Sequence, residues 1–345
     1  MKAVLAALVT LASALAPLPA LATFHTFVVD QLYSSADGEV QFIVLRENFG
    51  FSGQHLFSGQ ALTSTHAGVV KTFVFSSNLP SSATAGRHVL LASQGYVALR
   101  NGMPSANLPA PDYTLQNRFL ATDGGVVNFA GVDQLTYASL PGDGTNARYG
   151  DGVVANNNPI NFSGASSAVP VVPTLAVEYY HAILDHYFVS SLAPDIDSLD
   201  SGRAAGWART GERYQVMPGP FDPAPVSTPF QPVCRFYIPP DRGDSHFFSA
   251  SVDECATVLR LSMTDPNFAG YVYEIPNAWY AGLPDLATGT CAGGLRPLYR
   301  LWNGRVDSNH RYTVDTTLRS QMIARSFVPE GYGPQGVAMC VLQGP

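Results

Sequence analysis

Asp185-His186-Tyr187-Phe188-Val189-Ser190, Ser245-His246-Phe247-Phe248-Ser249 and Asn309-His310-Arg311-Tyr312-Thr313 are three versions of one short motif, a small polar residue and a histidine leading into a strand. The histidines stand 60 and 64 residues apart. Upstream of each copy lies a strand opening: Glu178-Tyr179-Tyr180, Arg235-Phe236-Tyr237 and Arg300-Leu301-Trp302. Downstream come segments of helical character at 194–199, 252–259 and 316–323. Aromatic strands then follow at Trp207-Ala208-Arg209-Thr210, Tyr271-Val272-Tyr273-Glu274 and Phe327-Val328-Pro329-Glu330. One such unit cannot bury its own apolar face, so its recurrence implies stacking or ring closure. The spacing predicts a pseudo-threefold, β-rich domain over 177–345 with a short helix in each unit.

The pattern differs upstream, where short alternating strands run from Phe24 to about Phe162. Phe27-Val28-Val29-Asp30-Gln31-Leu32-Tyr33 enters a turn at Ser34-Ser35-Ala36-Asp37-Gly38 and leaves along Val40-Gln41-Phe42-Ile43-Val44-Leu45. Asp-Gly between two apolar runs signals a hairpin, because glycine takes the positive φ a tight turn needs. Further strands are expected at 69–75, 87–92, 126–129 and 134–137, each bounded by Gly, Pro, Asn or Asp. Many short strands without amphipathic helices predict an immunoglobulin-like β-sandwich over 23–162. The stretch 163–176, SGASSAVPVVPTLA, has the small residues and prolines of a semi-stiff linker. The fold class is therefore mostly β: a sandwich, then the repeat.

Two family resemblances accompany this reading. Gln41-Phe42-Ile43-Val44-Leu45, Leu56-Phe57-Ser58-Gly59-Gln60-Ala61-Leu62, Phe73-Val74-Phe75 and Gly86-Arg87-His88-Val89-Leu90-Leu91 follow one another in the order of a lamin-tail-like domain. Gly125-Val126-Val127-Asn128-Phe129 with Val132-Asp133 extends the likeness, while Val44 departs from it where such domains often carry Glu. The first half thus resembles a lamin-tail-like domain, which implies a structural or adhesive module. In the second half, three blocks occur in order: Glu178-Tyr179-Tyr180-His181 with Asp185-His186-Tyr187-Phe188, Val233-Cys234-Arg235-Phe236-Tyr237 with Ser245-His246-Phe247-Phe248, and Tyr299-Arg300-Leu301 with Asn309-His310-Arg311-Tyr312. That half resembles domain of unknown function 5648. The resemblance implies a secreted bacterial protein with an accessory or binding role, of the kind appended to cell-wall hydrolases or peptidases. It supplies no catalytic residues.

Residues 1–22 read as a signal peptide. Lys2 supplies the positive start, 3–16 the apolar run, and Ala20-Leu21-Ala22 the cleavage site, so the mature chain is expected to begin at Thr23. The run is shorter than a membrane span and is broken by Pro17 and Pro19. The expected location is secreted or periplasmic. Charged residues make up 13%, against about 25% in ordinary soluble domains, so polar uncharged side chains must carry solubility. A net charge of −7, with Lys2 and Lys71 the only lysines, argues against nucleic acid and membrane surfaces as partners. Cys234, Cys255, Cys291 and Cys340 form an even set with no C-x-x-C pair, which reads as two disulfides rather than zinc. Three connectivities are open. The expectation is Cys255 with Cys291 and Cys234 with Cys340.

His186, His246 and His310, with Tyr187, Phe247 and Tyr312, form the candidate binding set. An imidazole can bond a hydroxyl while a neighbouring ring stacks on the C–H side of a sugar. Ligand subsites would place the three histidines at a solvent-facing rim. As framework residues, they would instead be buried with their nitrogens bonded to backbone, and repetition at equivalent positions is what a framework produces. His181, Asp185 and His186 include metal-competent groups, yet their spacing matches no metal motif, so neither metal nor cofactor is expected. Glu274 and Glu330 resemble the acid pair of a glycosidase. They occupy equivalent positions in two units, with Thr210 in the third, which points to structural hydrogen bonding. Gly164-Ala165-Ser166-Ser167-Ala168 lacks the last glycine of a nucleophile elbow, and 142–144 leads into no helix start. No catalytic residue is nominated. The leading expectation is an exported, non-enzymatic protein that engages cell-wall or extracellular polysaccharide. A hydrolase with its site in the repeat domain and a purely structural surface protein are the alternatives.

Overall fold

The computed structural model describes residues 25–218 and 230–344; the expected signal peptide at 1–22 and the expected mature start at Thr23 lie outside them. The first half contains β1 (Phe27–Ser34), β2 (Gln41–Glu47), β3 (Ala61–His66), β4 (Val69–Val74), β5 (His88–Ser93), α1 (Gln94–Gly102), β6 (Tyr113–Leu115), β7 (Gly125–Phe129), β8 (Asp133–Tyr137), β9 (Asn146–Tyr149) and β10 (Val154–Asn156). Two sheets result, ordered β10-β9-β1-β2-β5-β6 and β4-β3-β7-β8. The Asp37-Gly38 signal gives the β1–β2 hairpin, with Gly38 at φ 73° and its N–H bonded to Ser35 O at 3.0 Å.

Period-2 alternation decides which face each residue serves, with a register shift between Val29 and Gln31 that moves the inward position of β1 from Val29 to Leu32. Phe27, Val29, Leu32, Ile43 and Leu45 point between the sheets and meet Phe57, Phe75 and Phe129 from the second layer. Phe57 packs edge-on to Phe27 and to Phe75, with centroids 5.2 and 5.1 Å apart, as ring quadrupoles favour. Tyr33, Phe42, Val44 and Leu90 face the other way and are covered by Tyr96 of α1. Alternation alone does not reveal α1. It buries only Tyr96 and is started by the Ser93 hydroxyl, which accepts from Tyr96 N.

The proline-bearing stretch lies against the sandwich. Ser167 Oγ donates to Ala106 O at 2.7 Å, and Val169 is buried, with its N–H on Asn157 Oδ1 at 2.6 Å. Strand pairing of the repeat domain already begins at Thr174.

Three units follow. The first contains β11 (Thr174–His181), β12 (His186–Ser190), α2 (Ala193–Asp200) and β13 (Trp207–Val216). The second contains β14 (Phe230–Pro232), β15 (Cys234–Ile238), β16 (Ser245–Ser249), α3 (Val252–Thr264), β17 (Val272–Ile275) and β18 (Tyr280–Gly282). The third contains β19 (Leu295–Trp302), β20 (His310–Thr313), α4 (Thr316–Ala324), β21 (Val328–Glu330) and β22 (Val337–Leu342). In each, a hairpin is followed by a helix and a strand that returns to the hairpin's first strand. Strands β12, β16 and β20 each touch the other two, so they surround a common axis. Val189, Tyr214, Phe248, Trp279, Leu298, Tyr312 and Met339 bring all three units into one core. The mostly β architecture and the three short helices agree with the sequence reading.

The disulfides differ from the expected pairs. Cys234 bonds Cys255 and Cys291 bonds Cys340. Helix α3 folds back over its own sheet, which sets Cys255 above Cys234 with their Cα atoms 6.3 Å apart. Cys291 lies just before β19, whose antiparallel neighbour β22 carries Cys340, with a Cα separation of 5.7 Å. Both separations lie within the span a disulfide bridges.

Candidate functional site

Hairpin register settles which residues of the units correspond. Glu178 pairs with Val189, Arg235 with Phe248 and Arg300 with Tyr312. Counted from these pairs, His246 and His310 share their position with Tyr187. His186 instead matches Ser245 and Asn309, so the histidine trio read from the sequence is offset by one residue in the first unit. Side chains give the same alignment. Tyr180 and Tyr237 donate to Asp185 and Asp244 at 3.0 and 2.7 Å, and Trp302 donates to Ser308 at 3.1 Å. Ser190, Ser249 and Thr313 each accept the backbone N–H two residues on. These hydroxyls are the signal that gives the right alignment, because the first hairpin's loop is shorter than the other two.

Each seam between units is built around a buried guanidinium. Between the first and second units, Arg235 (4% exposed) donates to Glu274 at 2.8 Å and to Asp195 at 2.5 Å, and lies over the Phe188 ring. His246 Nε2 faces the same Glu274 at 3.3 Å, with its ring 4.6 Å from Phe188. Between the second and third, Arg300 (5% exposed) donates to Glu330 at 3.1 Å and grips both oxygens of Glu254 at 2.7 and 3.1 Å. It sits 4.6 Å above the Phe247 ring, while His310 Nε2 faces Glu330 at 3.2 Å. In both seams the helix carboxylate belongs to the preceding unit, and Ser190 or Ser249 donates to it.

The closing seam, between the third unit and the first, reverses the charges. Glu178 (1% exposed) stands at the arginine position, and Arg311 replaces the phenylalanine. They pair at 2.9 and 2.8 Å, Thr210 adds a bond to Glu178 at 2.8 Å, and Tyr187 stacks on the guanidinium at 4.0 Å. Thr210, Glu274 and Glu330 thus serve one structural purpose: each holds the buried ionic group of its seam.

The carboxyls respond to these surroundings. Burial pushes Glu274 up, but the hydrogen bond from His246 and the charge of Arg235 outweigh it and bring the group to about 2. Burial likewise raises Glu254 and Glu330, and Arg300, with Ser249 and His310, outweighs it and holds both below the usual range. Burial dominates at Glu178, which stays above its ordinary value despite Arg311. It also dominates at His186, which is pushed down although Asp307 lies 3.5 Å away.

A groove of about 630 Å³ opens at the seam between the second and third units. Helix α3 has 13 residues against 8 in α2 and 9 in α4, and it extends into a short 3-10 turn at Pro266–Phe268. With Cys234–Cys255 pinning its first turn, α3 forms one wall, presenting Val258 and Leu261 beside Phe268 and Tyr271. Trp302 and His310 come from the third unit, Arg300 with Glu254 and Glu330 provides a charged floor, and Arg242 and Arg305 also line the groove.

Of the residues nominated from sequence, His310 and Phe247 line this groove, and both are largely covered. His246 is half-buried in the first seam and His186 is buried near the axis, 1% exposed, so His186 does not stand at a solvent-facing rim. The Nε2 atoms of His186, His246 and His310 face carboxylates, those of Asp307, Glu274 and Glu330 respectively. Tyr187 covers Arg311, and Tyr312 is core, its hydroxyl bonded to Phe248 N and O. His181 lies edge-on to Trp207 while Asp185 binds Arg305 and Arg325. Sequence reasoning missed Trp302, Tyr271, Arg300 and Glu254. An arginine at one position of two units, a charge inside an otherwise apolar strand, was the available signal.

No curated protein and no solved structure matches the chain. The lamin-tail likeness of the first half gains no support from these comparisons. Residues 178–341, which span all three units, match the family described as Domain of unknown function (DUF5648).

Proposed function

We propose that the chain is an exported, non-enzymatic glycan-binding protein that holds a cell-wall or extracellular polysaccharide in the groove between the second and third units. One observation carries this reading: aromatic rings of Trp302, Tyr271 and Phe268 line the same open groove as the hydrogen-bonding set Arg300, Glu254, Glu330 and His310. Ring faces suit the C–H side of a sugar, and fixed charged groups suit its hydroxyls. The volume lies in the range of ligand sites.

Hydrolysis fits less well. A glycosidase needs one carboxyl with a raised pKa as proton donor. Glu254 and Glu330 share one guanidinium and are both held low. The two disulfides favour an oxidising compartment, in keeping with the signal-like segment.

The test is a glycan array and an insoluble-polysaccharide pull-down with the mature chain. Trp302→Ala and Tyr271→Ala are each expected to weaken binding by about 1–2 kcal/mol with little change in Tm. A blank array, or binding indifferent to both substitutions, would overturn the proposal.

A further inference from the structure

Beside the groove lies a second cavity, of about 430 Å³, and the two share Glu254, Thr257 and Arg300. Helix α3 borders both. The second cavity touches it at Ser251, Asp253, Glu254 and Thr257, and the groove touches it from Glu254 on to Leu261. From Ser251 to Leu261 the helix advances about 15 Å. Each cavity by itself falls in the volume range of a single small-ligand site. Together they offer a path along α3 whose two ends one sugar ring cannot touch at once.

The far walls are held in place without a ligand. Asp285 accepts from the backbone N–H of Ala287 and Thr288 at 3.1 and 2.8 Å, and its own N–H reaches Thr290 O at 2.9 Å. Cys291–Cys340 ties the end of this loop to β22, and Tyr332 N donates to Val337 O. Leu286, 62% exposed, and Tyr332 line this end. A preformed wall removes the ordering cost of binding. The Glu254–Arg300 pair sits where the cavities meet and offers polar atoms midway along the path.

Resting on the glycan reading above, we infer that the ligand is an extended oligosaccharide chain lying along α3, with one end on Trp302 and Tyr271 and the other on Tyr332 and Leu286. The probe is a series of β-1,4-linked glucose and N-acetylglucosamine oligomers, from one unit to six, titrated calorimetrically into the mature chain. Affinity is expected to rise at least about tenfold between dimer and tetramer. Tyr332→Ala and Leu286→Ser should each bring the tetramer down towards the dimer and leave the dimer unchanged, while Trp302→Ala weakens both. Equal affinity for monomer and hexamer would remove the extended path and leave the groove reading standing. So would a tetramer indifferent to both far-end substitutions but still sensitive to Trp302→Ala. Failure of every oligomer in both series, or capture of extended peptides instead, overturns this inference, and a blank array as well overturns the reading beneath it.

Discussion

Glu178 and Arg311 are 133 residues apart and carry the reverse of the charges at the other two seams. With like polarity at all three, any unit could dock against any other. The reversal makes the closing seam unlike its neighbours, so the order of the units is written into their ionic chemistry. Breaking one partner of a buried pair leaves an uncompensated charge. Glu178→Arg is therefore expected to cost about 3–5 kcal/mol in urea denaturation. The double exchange Glu178→Arg with Arg311→Glu should recover at least half of that loss, and a double variant no better than the single would show that the pair is not coupled. Acid acts on the other seams. Glu274 has a folded value of about 2 against an ordinary 4.5, so its pairing contributes fully above pH 4.5 and is lost as the pH falls towards 2. Glu254 and Glu330 shift in the same direction. The urea midpoint should fall across that window, and Glu274→Gln should flatten the profile. An unchanged profile in the variant would assign the acid sensitivity elsewhere.

At the level of elements, helix α3 decides where the groove is. Its length, the Ser251 cap on Glu254 N and the disulfide to β15 hold it as a wall, whereas α2 and α4 end sooner. The two disulfides act on different parts. Cys234–Cys255 closes a sequence separation of 21 and fixes a helix to its sheet; Cys291–Cys340 closes one of 49 and fixes a loop to the last strand. In the chain-entropy account, their loss costs about 3 and about 4 kcal/mol respectively. Replacing Cys234 and Cys255 by Ser should also loosen α3, read as faster hydrogen exchange there, while the other pair of substitutions should leave α3 protection largely intact. Equal loss of protection in α3 from either pair would contradict this division.

For the whole molecule, the halves are joined by more than a linker. Arg118 bonds Glu39 in the sandwich at 2.9 Å and Asp197 of α2 at 3.0 Å. Ala193 N reaches Ala36 O at 2.8 Å, and Thr174 Oγ1 reaches Asp37 at 2.6 Å. Thr174, Leu175 and Ala176 pair with Val216, Gln215 and Tyr214, and Ala176 is fully buried. A repeat fragment that starts at 173 is therefore expected to melt cooperatively and higher than one that starts at 177. A 177–345 fragment with the same Tm would show that these three pairs contribute nothing to the ring.

The existence and type of most elements were legible in the sequence, because alternation, Asp-Gly and the recurring block are local patterns read within a few residues. Phe27 to Leu45 needed no partner to read as a hairpin, and three helical segments stood where α2, α3 and α4 lie. Helix α1 escaped because it buries too little to impose a period. The equivalence of Tyr187 with His246 and His310 required strand pairing, since the first hairpin loop is shorter and a one-residue offset looks plausible in a string of letters. Disulfide pairing required a distance in space. The groove required α3 of one unit to meet Arg300 and Trp302 of the next. Sequence by itself determined most of the elements and the threefold count, because hydrophobic period and turn chemistry act between near neighbours. Only tertiary structure decided the register of the units, the cysteine partners and the place of the groove, because each depends on groups tens of residues apart meeting where the ring closes.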